Sequence, residues 1–232
     1  MISVVIPVYN EAENLEALYE RLSRSARSIP GEDFEFVLAD DGSRDATPQV
    51  LERLCAGDPR VRSVRFDTNR GSHAAISAGL AAARGEAAIV MAADLQDPPE
   101  LMKDLIARWR EGHPIVWGVR RSRSGEAVST VFFSRLYYFL MNHLTAVRQP
   151  PSGADLFLAS REVIECFKRY PEKQRSVFML VTWLGFRSAA VYYDKKPRRA
   201  GKSKWTLKKK LALVWDSYRL FRKPRHKWDA CA

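Results

Sequence analysis

A chain of 232 residues with 46% hydrophobic and 28% charged residues is long enough to bury a core and is not disordered in composition. Its cysteines, Cys55, Cys166 and Cys231, are odd in number, lack CxxC spacing and follow no evident signal peptide, which fits a reducing cytoplasm best. The formal charge of +11 is uneven: residues 195–228 hold fourteen Lys and Arg against Asp216 alone, and the remainder is close to neutral. A basic terminal segment points to anionic lipid, nucleic acid or a phosphorylated substrate, with a solvated basic face as the plainer reading. The neutral remainder has no recognition motif, so specific nucleic-acid binding is not expected.

Met1 runs directly into Ile2-Ser3-Val4-Val5-Ile6-Pro7-Val8-Tyr9, whose β-branched residues predict a buried first strand with no leader before it. Asn10 and Glu11 follow, and Leu15, Leu18 and Leu22 have the spacing of a helix's inner face. Residues 34–39 predict a second strand ending in Asp40-Asp41-Gly42-Ser43, and a helix runs from about Thr47 through Leu54. Val61 to Phe66 predicts a third strand, then Asn69-Arg70-Gly71-Ser72 and an alanine-rich helix through Ala83. The apolar run beginning at Ala88 predicts a fourth strand, breaking into Asp94-Leu95-Gln96-Asp97-Pro98-Pro99. Strand alternating with helix predicts a parallel sheet covered on both faces.

Three of these strands end in acidic or amide side chains: Asn10 and Glu11, Asp40 and Asp41, Asp94 and Gln96. In an open α/β sheet the strand carboxyl ends are where ligands bind, so three polar ends on one edge form a site. No GxGxxG follows the first strand and no GxxxxGK[ST] occurs, which argues against a dinucleotide oxidoreductase or a P-loop NTPase. Carboxylates can accept from a nucleoside's base N–H and ribose hydroxyls, and Asp94 and Gln96 offer the oxygen donors that suit Mg²⁺ or Mn²⁺ on a diphosphate. Asp97, just before two prolines, is read as the cap of the following helix.

Val5-Ile6-Pro7-Val8-Tyr9-Asn10-Glu11, Asp40-Asp41-Gly42-Ser43-Arg44-Asp45, Asn69-Arg70-Gly71 and Ala93-Asp94-Leu95-Gln96-Asp97-Pro98-Pro99-Glu100 together resemble the ordered motifs of family 2 GT-A glycosyltransferases. The branch they resemble is that of the polyprenyl-phosphate sugar transferases similar to dolichol-phosphate mannose synthase. The resemblance implies that Pro7, Tyr9, Asn10, Glu11, Asp40, Asp41, Asn69, Gly71 and Asp94 frame a nucleoside-diphosphate sugar, and that Asp94 and Gln96 hold the metal. The family's metal motif is often Asp-x-Asp, and Ala92 stands at the first position here. Asp94 is then the one carboxylate of that motif, a set that Mg²⁺ accepts because it keeps waters and phosphate oxygens.

Leu101 to Trp109 predicts a helix, and Ile115 to Val119 a strand that ends in Arg120-Arg121-Ser122-Arg123. Guanidiniums there can grip phosphate, and the related transferases carry acceptor-side arginines in this region, so Arg120 or Arg121 is assigned to the acceptor. Val128 to Val147 has Arg135 as its only formal charge; the central arginine and several polar residues argue for a packed or interfacial helix over a membrane span. In the resembling family an arginine on a helix here lies near the lipid phosphate, which assigns Arg135 to the acceptor as well. Asp155, at the start of a strand, is read as a base or acceptor-positioning carboxylate, although Phe157 replaces the arginine of the family's Gly-Asp-Phe-Arg-Leu segment.

Residues 177–186 carry no charge and are too few to span a membrane, so they are expected in the core, and Phe186 to Tyr193 predicts a last strand. Arg198-Arg199-Ala200-Gly201-Lys202-Ser203-Lys204-Trp205 resembles the family's Arg-x-x-Gly-x-Ser-Lys-Trp loop, which closes over diphosphate and acceptor. Arg198, Lys202 and Lys204 can neutralise a departing nucleoside diphosphate, with Ser203 on the acceptor side. Beyond it Leu207, Leu211, Val214, Trp215, Tyr218 and Phe221 share one helical face opposite a basic one, the pattern of an interfacial membrane helix.

The expectation is therefore an α/β fold of the GT-A (Rossmann-like) kind, with a mixed, mainly parallel sheet. Residues 1–205 form the transferase domain, 1–119 its donor half and 120–205 its acceptor half, and 206–232 a basic amphipathic extension. The implied reaction is metal-dependent inverting transfer from a nucleoside-diphosphate sugar to a polyprenyl phosphate, at the inner face of the cytoplasmic membrane through peripheral association. A homo-oligomer is compatible with the sequence. The alternatives are a soluble hydroxyl acceptor, for which Asp155 serves as base, and a non-catalytic nucleotide- or lipid-binding protein.

Overall fold

The structure, a computed structural model, describes residues 1–121, 154–170 and 177–195. Strands β1 (Ile2–Val8), β2 (Phe34–Asp40), β3 (Val61–Arg65), β4 (Ala87–Val90), β5 (Ile115–Arg120), β6 (Ala154–Ser160) and β7 (Ser188–Tyr193) form one sheet in the order β3-β2-β1-β4-β6-β5-β7. Pairing is parallel throughout except where β6 lies antiparallel between β4 and β5. This is the mixed, mainly parallel sheet read from the sequence.

The helices are α1 (Ala12–Arg27), α2 (Thr47–Gly57), α3 (Ser72–Ala82), α4 (Met102–Arg110), α5 (Arg161–Lys168) and α6 (Val177–Trp183), with a 3-10 turn at Pro99–Leu101. Alternation along each strand divides the core in two. Ile2, Val4, Ile6, Phe36, Leu38 and Ile89 face α1, α2 and α4; the opposite face joins Val5, Val37, Ala88, Val90 and Phe157 to α3, α5 and α6. Leu15, Leu18 and Leu22 are each 1% exposed, which is why α1 docks with that stripe inward. The uncharged stretch from Val177 is a helix in the core, with Val177, Met179, Leu180 and Val181 buried.

One close approach and one hydrogen-bond network set the site's shape. A Cβ on Gly79 of α3 would stand 2.4 Å from Val5 Cγ1, so the missing side chain lets α3 lie directly on β1. At the far end of the strands, Glu35 accepts from Ser3 Oγ at 2.6 Å, Arg84 N at 2.6 Å and Arg62 at 3.2 Å. Burial pushes the Glu35 carboxyl up, but those donors outweigh it and hold the group below its ordinary value. The network fixes the α3–β4 connection and thereby where β4 emerges.

His73, in the first turn of α3, accepts from the backbone N–H of Val177 through Nδ1 at 3.4 Å and stands edge-on to Phe178. Burial depresses its pKa from 6.5 to about 4. The unfolded chain therefore takes up a proton near pH 6.5 that the native fold refuses until about pH 4. Stability is expected to fall with pH across that window, by up to about 3 kcal/mol. Urea unfolding at pH 7.5, 6, 5 and 4.5 checks this, and His73→Gln should flatten the slope even where its baseline stability is lower.

Candidate active site

The strand order makes a crevice between β1 and β4. The connection from β1 leads to β2 on one side, whereas β4 lies on the other, so the loops at their carboxyl ends diverge there. β4 stops at Val90, sooner than its apolar run predicts: β1 and β4 pair from Ile2↔Ala87 to Val5↔Val90, and Met91 N donates to Val5 O at 3.1 Å before the chain leaves. Met91, Ala93 and Leu95 are buried, so the last apolar residues of the run anchor a loop instead of extending a strand. Pro7, which has no N–H to donate, comes after the pairing with β4 has ended.

The loops on this edge are laced together by the predicted site residues. Asn10, at φ 51, accepts the Arg44 N–H on Oδ1 at 2.9 Å and donates its own N–H to Ser43 Oγ at 2.9 Å. Glu11 donates its N–H to Thr47 Oγ1 and accepts from Asn14 Nδ2 at 2.7 Å. Asp40, the last residue of β2 and 1% exposed, accepts the Ser43 N–H at 2.9 Å, and its Oδ2 stands 3.3 Å from Arg65 Nε. Asp41 accepts from Asn69 Nδ2 at 2.9 Å, Arg70 N at 2.7 Å and Gly71 N at 2.9 Å. It therefore holds the Asn69–Gly71 turn against β2.

Asp94 lies beyond β4 and is 8% exposed; its Oδ1 accepts the Gln96 N–H at 3.2 Å. Between them Leu95 sits at φ 60, a conformation an ordinary side chain adopts only under constraint, with its side chain 5% exposed in the core. The buried Leu95 pins the turn that presents Asp94 and Gln96. Asp97 does not cap the following helix: the 3-10 turn starts at Pro99 with Pro98 before it, and the Asp97 carboxylate instead accepts from Tyr193 OH. Two prolines made a cap plausible, but burial beside the last strand gave the carboxylate another partner.

The antiparallel insertion of β6 turns its first residues toward the same edge. Val90 pairs with Phe157 and Ala87 with Ser160, so β6 starts where β4 ends. Along β5 the register steps from Gly118↔Leu156 to Val119↔Ala154, leaving Asp155 as the extra residue of a β-bulge. Bulges interrupt pairing and re-aim the chain, and this one sits on the ligand edge. The Asp155 side chain lies outside the described residues.

Arg120 ends β5 opposite Tyr193, and Arg121 donates its N–H to Tyr193 O at 2.8 Å; its side chain stands 3.7 Å from Asp194 with both groups well exposed, a contact worth little. The structure thus brings Tyr9, Asn10, Asp40, Asn69, Asp94, Gln96, the Asp155 backbone, Arg120 and Arg121 to one sheet edge. Arg135, Arg198, Lys202, Ser203, Lys204 and the segment 206–232 lie outside the described residues. Arg65 and Tyr193 on this edge were not picked out from the sequence. The available signal was their place at strand ends. Among the described residues no helix is long and apolar enough to cross a membrane.

The match to known proteins follows this geometry. The model of the family described as "Glycosyl transferase family 2" matches residues 3–167. The chain is 38% identical over 204 residues to the uncharacterized glycosyltransferase sll0501 of Synechocystis, covering 88% of this chain and 64% of that protein. It is 34% identical over 204 residues to the bactoprenol glucosyl transferase of Shigella phage SfV, covering 88% and 66%. The chain thus spans about two thirds of the length of such relatives. Among solved structures, glucosyl-3-phosphoglycerate synthase from Mycobacterium tuberculosis, in complex with Mn²⁺, UDP and phosphoglyceric acid, superposes with a TM-score of 0.64 at 23% identity, over 96% of this chain and 78% of that one. That likeness is one of fold. The shared architecture, the extent of the family match and the identity to these transferases lead to one conclusion: this chain belongs to glycosyl transferase family 2.

Proposed function

We propose that the chain transfers a sugar from a nucleoside diphosphate to a polyprenyl phosphate, with inversion at the anomeric carbon and with Mg²⁺ or Mn²⁺. The observation that carries the donor half is the convergence of Tyr9, Asn10, Asp40, Asn69 and Asp94 at the crevice between β1 and β4. The acceptor rests on the named activity of relatives such as the phage bactoprenol glucosyl transferase. Residues 1–119 hold the donor in this reading. Residues 120–205 serve the acceptor, and 206–232 serve peripheral contact with the inner face of the cytoplasmic membrane.

The donor set fits a hard divalent cation. Among the described residues there is no group of three or more His, Cys, Asp or Glu that could hold a metal without help. Asp94 and Gln96 supply oxygen ligands, and Mg²⁺-type sites are completed by waters and substrate phosphates. When bound, such an ion offsets charge on the leaving diphosphate. The protein's part is to hold Asp94 through the Leu95 turn and the sugar nucleotide through Asp40 and the Asn69–Gly71 turn. An acceptor phosphate oxygen forms the new bond to the anomeric carbon as the bond to the donor phosphate breaks. Arg120, Arg121 and Arg135 are assigned to the acceptor phosphate, with Ser203 beside it, and Arg198, Lys202 and Lys204 to the leaving group.

A hydroxyl acceptor is the second reading, favoured by the bulge that sets Asp155 on the ligand edge, since a hydroxyl needs a base and an anionic phosphate does not. The test is nucleotide release from UDP-, GDP- and CDP-sugars in Mn²⁺, with and without a polyprenyl phosphate. Release stimulated by the lipid is expected. Release that the lipid leaves unchanged but a saccharide hydroxyl stimulates would favour the second reading, and nucleotide binding without release under any condition would identify a binding protein.

A further inference from the structure

The loop after β4 carries two carboxylates, and the donor site uses only Asp94. Asp97 is 1% exposed, and its Oδ1 accepts from Tyr193 OH and lies 3.5 Å from Lys195 Nζ. Tyr193, the last residue of β7, is 4% exposed, and its carbonyl oxygen accepts the Arg121 N–H at 2.8 Å. The contact therefore crosses the sheet, from the β4 loop to the exit of β7 beside the end of β5.

A buried carboxylate is costly, and where only volume is needed an apolar side chain serves as well or better. What a carboxylate adds is direction: a fixed bond to one hydroxyl and an attraction for one cation. Only Leu95 and Gln96 separate Asp97 from Asp94, and Leu95 is held at φ 60 with its side chain in the core. So short and constrained a turn passes any displacement of Asp97 on to Gln96 and Asp94. On the other side Lys195 stands three residues before Arg198 in the sequence.

We infer that Asp97 is a positioning residue: with Tyr193 and Lys195 it fixes the Asp94–Gln96 turn relative to the end of β7, setting the geometry in which Asp94 and Gln96 meet a metal-bound diphosphate. The inference rests on the donor reading above. It predicts that loss of the contact weakens the metal-dependent part of nucleotide binding and spares the metal-independent part.

The experiment is calorimetric titration of the full chain with UDP, GDP and CDP, in Mn²⁺ and in EDTA, for wild type, Asp97→Asn and Tyr193→Phe, with the thermal midpoint of each. Asp97→Asn should lower affinity in Mn²⁺ by roughly 10- to 100-fold, the scale for losing a group that orients a metal ligand. Tyr193→Phe should lower it by a smaller factor, and affinity in EDTA should stay within about twofold for both. A merely structural role would lower the thermal midpoint and leave the ratio of Mn²⁺ to EDTA affinity at its wild-type value, which overturns the inference. Should Asp97→Asn fail to fold, Tyr193→Phe decides alone. Wild type that binds none of the three nucleotides in Mn²⁺ overturns the donor reading, and the positioning role falls with it.

Discussion

Asp94→Asn should lower sugar transfer by about 100- to 1,000-fold, the scale of removing one preorganised electrostatic contact from a developing anion. The substitution keeps the shape of the side chain and an oxygen able to accept the Gln96 N–H, now 3.2 Å from Oδ1, so the turn should survive. What disappears is the negative charge. With Ala92 at the preceding motif position no second carboxylate compensates, and Gln96 is neutral. Nucleotide release measured across a Mn²⁺ series should show the loss at low metal and partial recovery at high metal, with the thermal midpoint close to wild type. Turnover unchanged at every Mn²⁺ concentration would remove Asp94 from the metal site.

The second large effect is on the fold of the site itself. Gly42 has φ +71, and a Cβ there would stand 2.7 Å from Thr68 C and 2.9 Å from Asn69 N. The left-handed backbone alone costs an alanine roughly 1–2 kcal/mol. The clash is with main chain, which cannot swing aside as a side-chain tip can, so Gly42→Ala should destabilise by about 3–5 kcal/mol in urea unfolding. It should also displace Asn69 and loosen nucleotide binding, because the neighbouring Asp41 holds the turn that begins at Asn69. Gly57→Ala is the matched control: nothing lies within 4 Å of its would-be Cβ at the end of α2, and the change should be neutral or slightly stabilising.

The first half of the chain was legible because β1, β2 and β4 are short β-branched or apolar runs closed by polar residues, and each helix repeats its leucines or alanines at helical spacing. Asn10, Asp40 and Asp94 could be placed on one edge from that alternation alone, since parallel strands share their carboxyl ends. The division of labour among them was not legible. Asp40 and Asp41 are adjacent and chemically identical, yet the first faces Ser43 and Arg65 while the second secures Asn69, Arg70 and Gly71. Strand pairing decides that, and pairing is a long-range fact. Asp97 failed as a cap for the same reason: its partner Tyr193 is 96 residues away. The early end of β4 at Val90 was hidden because a buried loop and a buried strand both read as apolar.

The place of β6 has a consequence for how the polypeptide is made. β4 is hydrogen-bonded to β1 on one side, and its other side is filled by residues 154–160, which also bridge it to β5. A nascent chain that has released β1 to β5 therefore leaves open the edge of β4 and both edges of β5, which only β6 and β7 will cover. Pairing so far apart in sequence is slow to form and leaves such edges open to other chains meanwhile. The seam at the centre of the finished sheet thus closes only once β6 has been made, and chaperone dependence should rise in the interval of synthesis between Arg120 and Ser160.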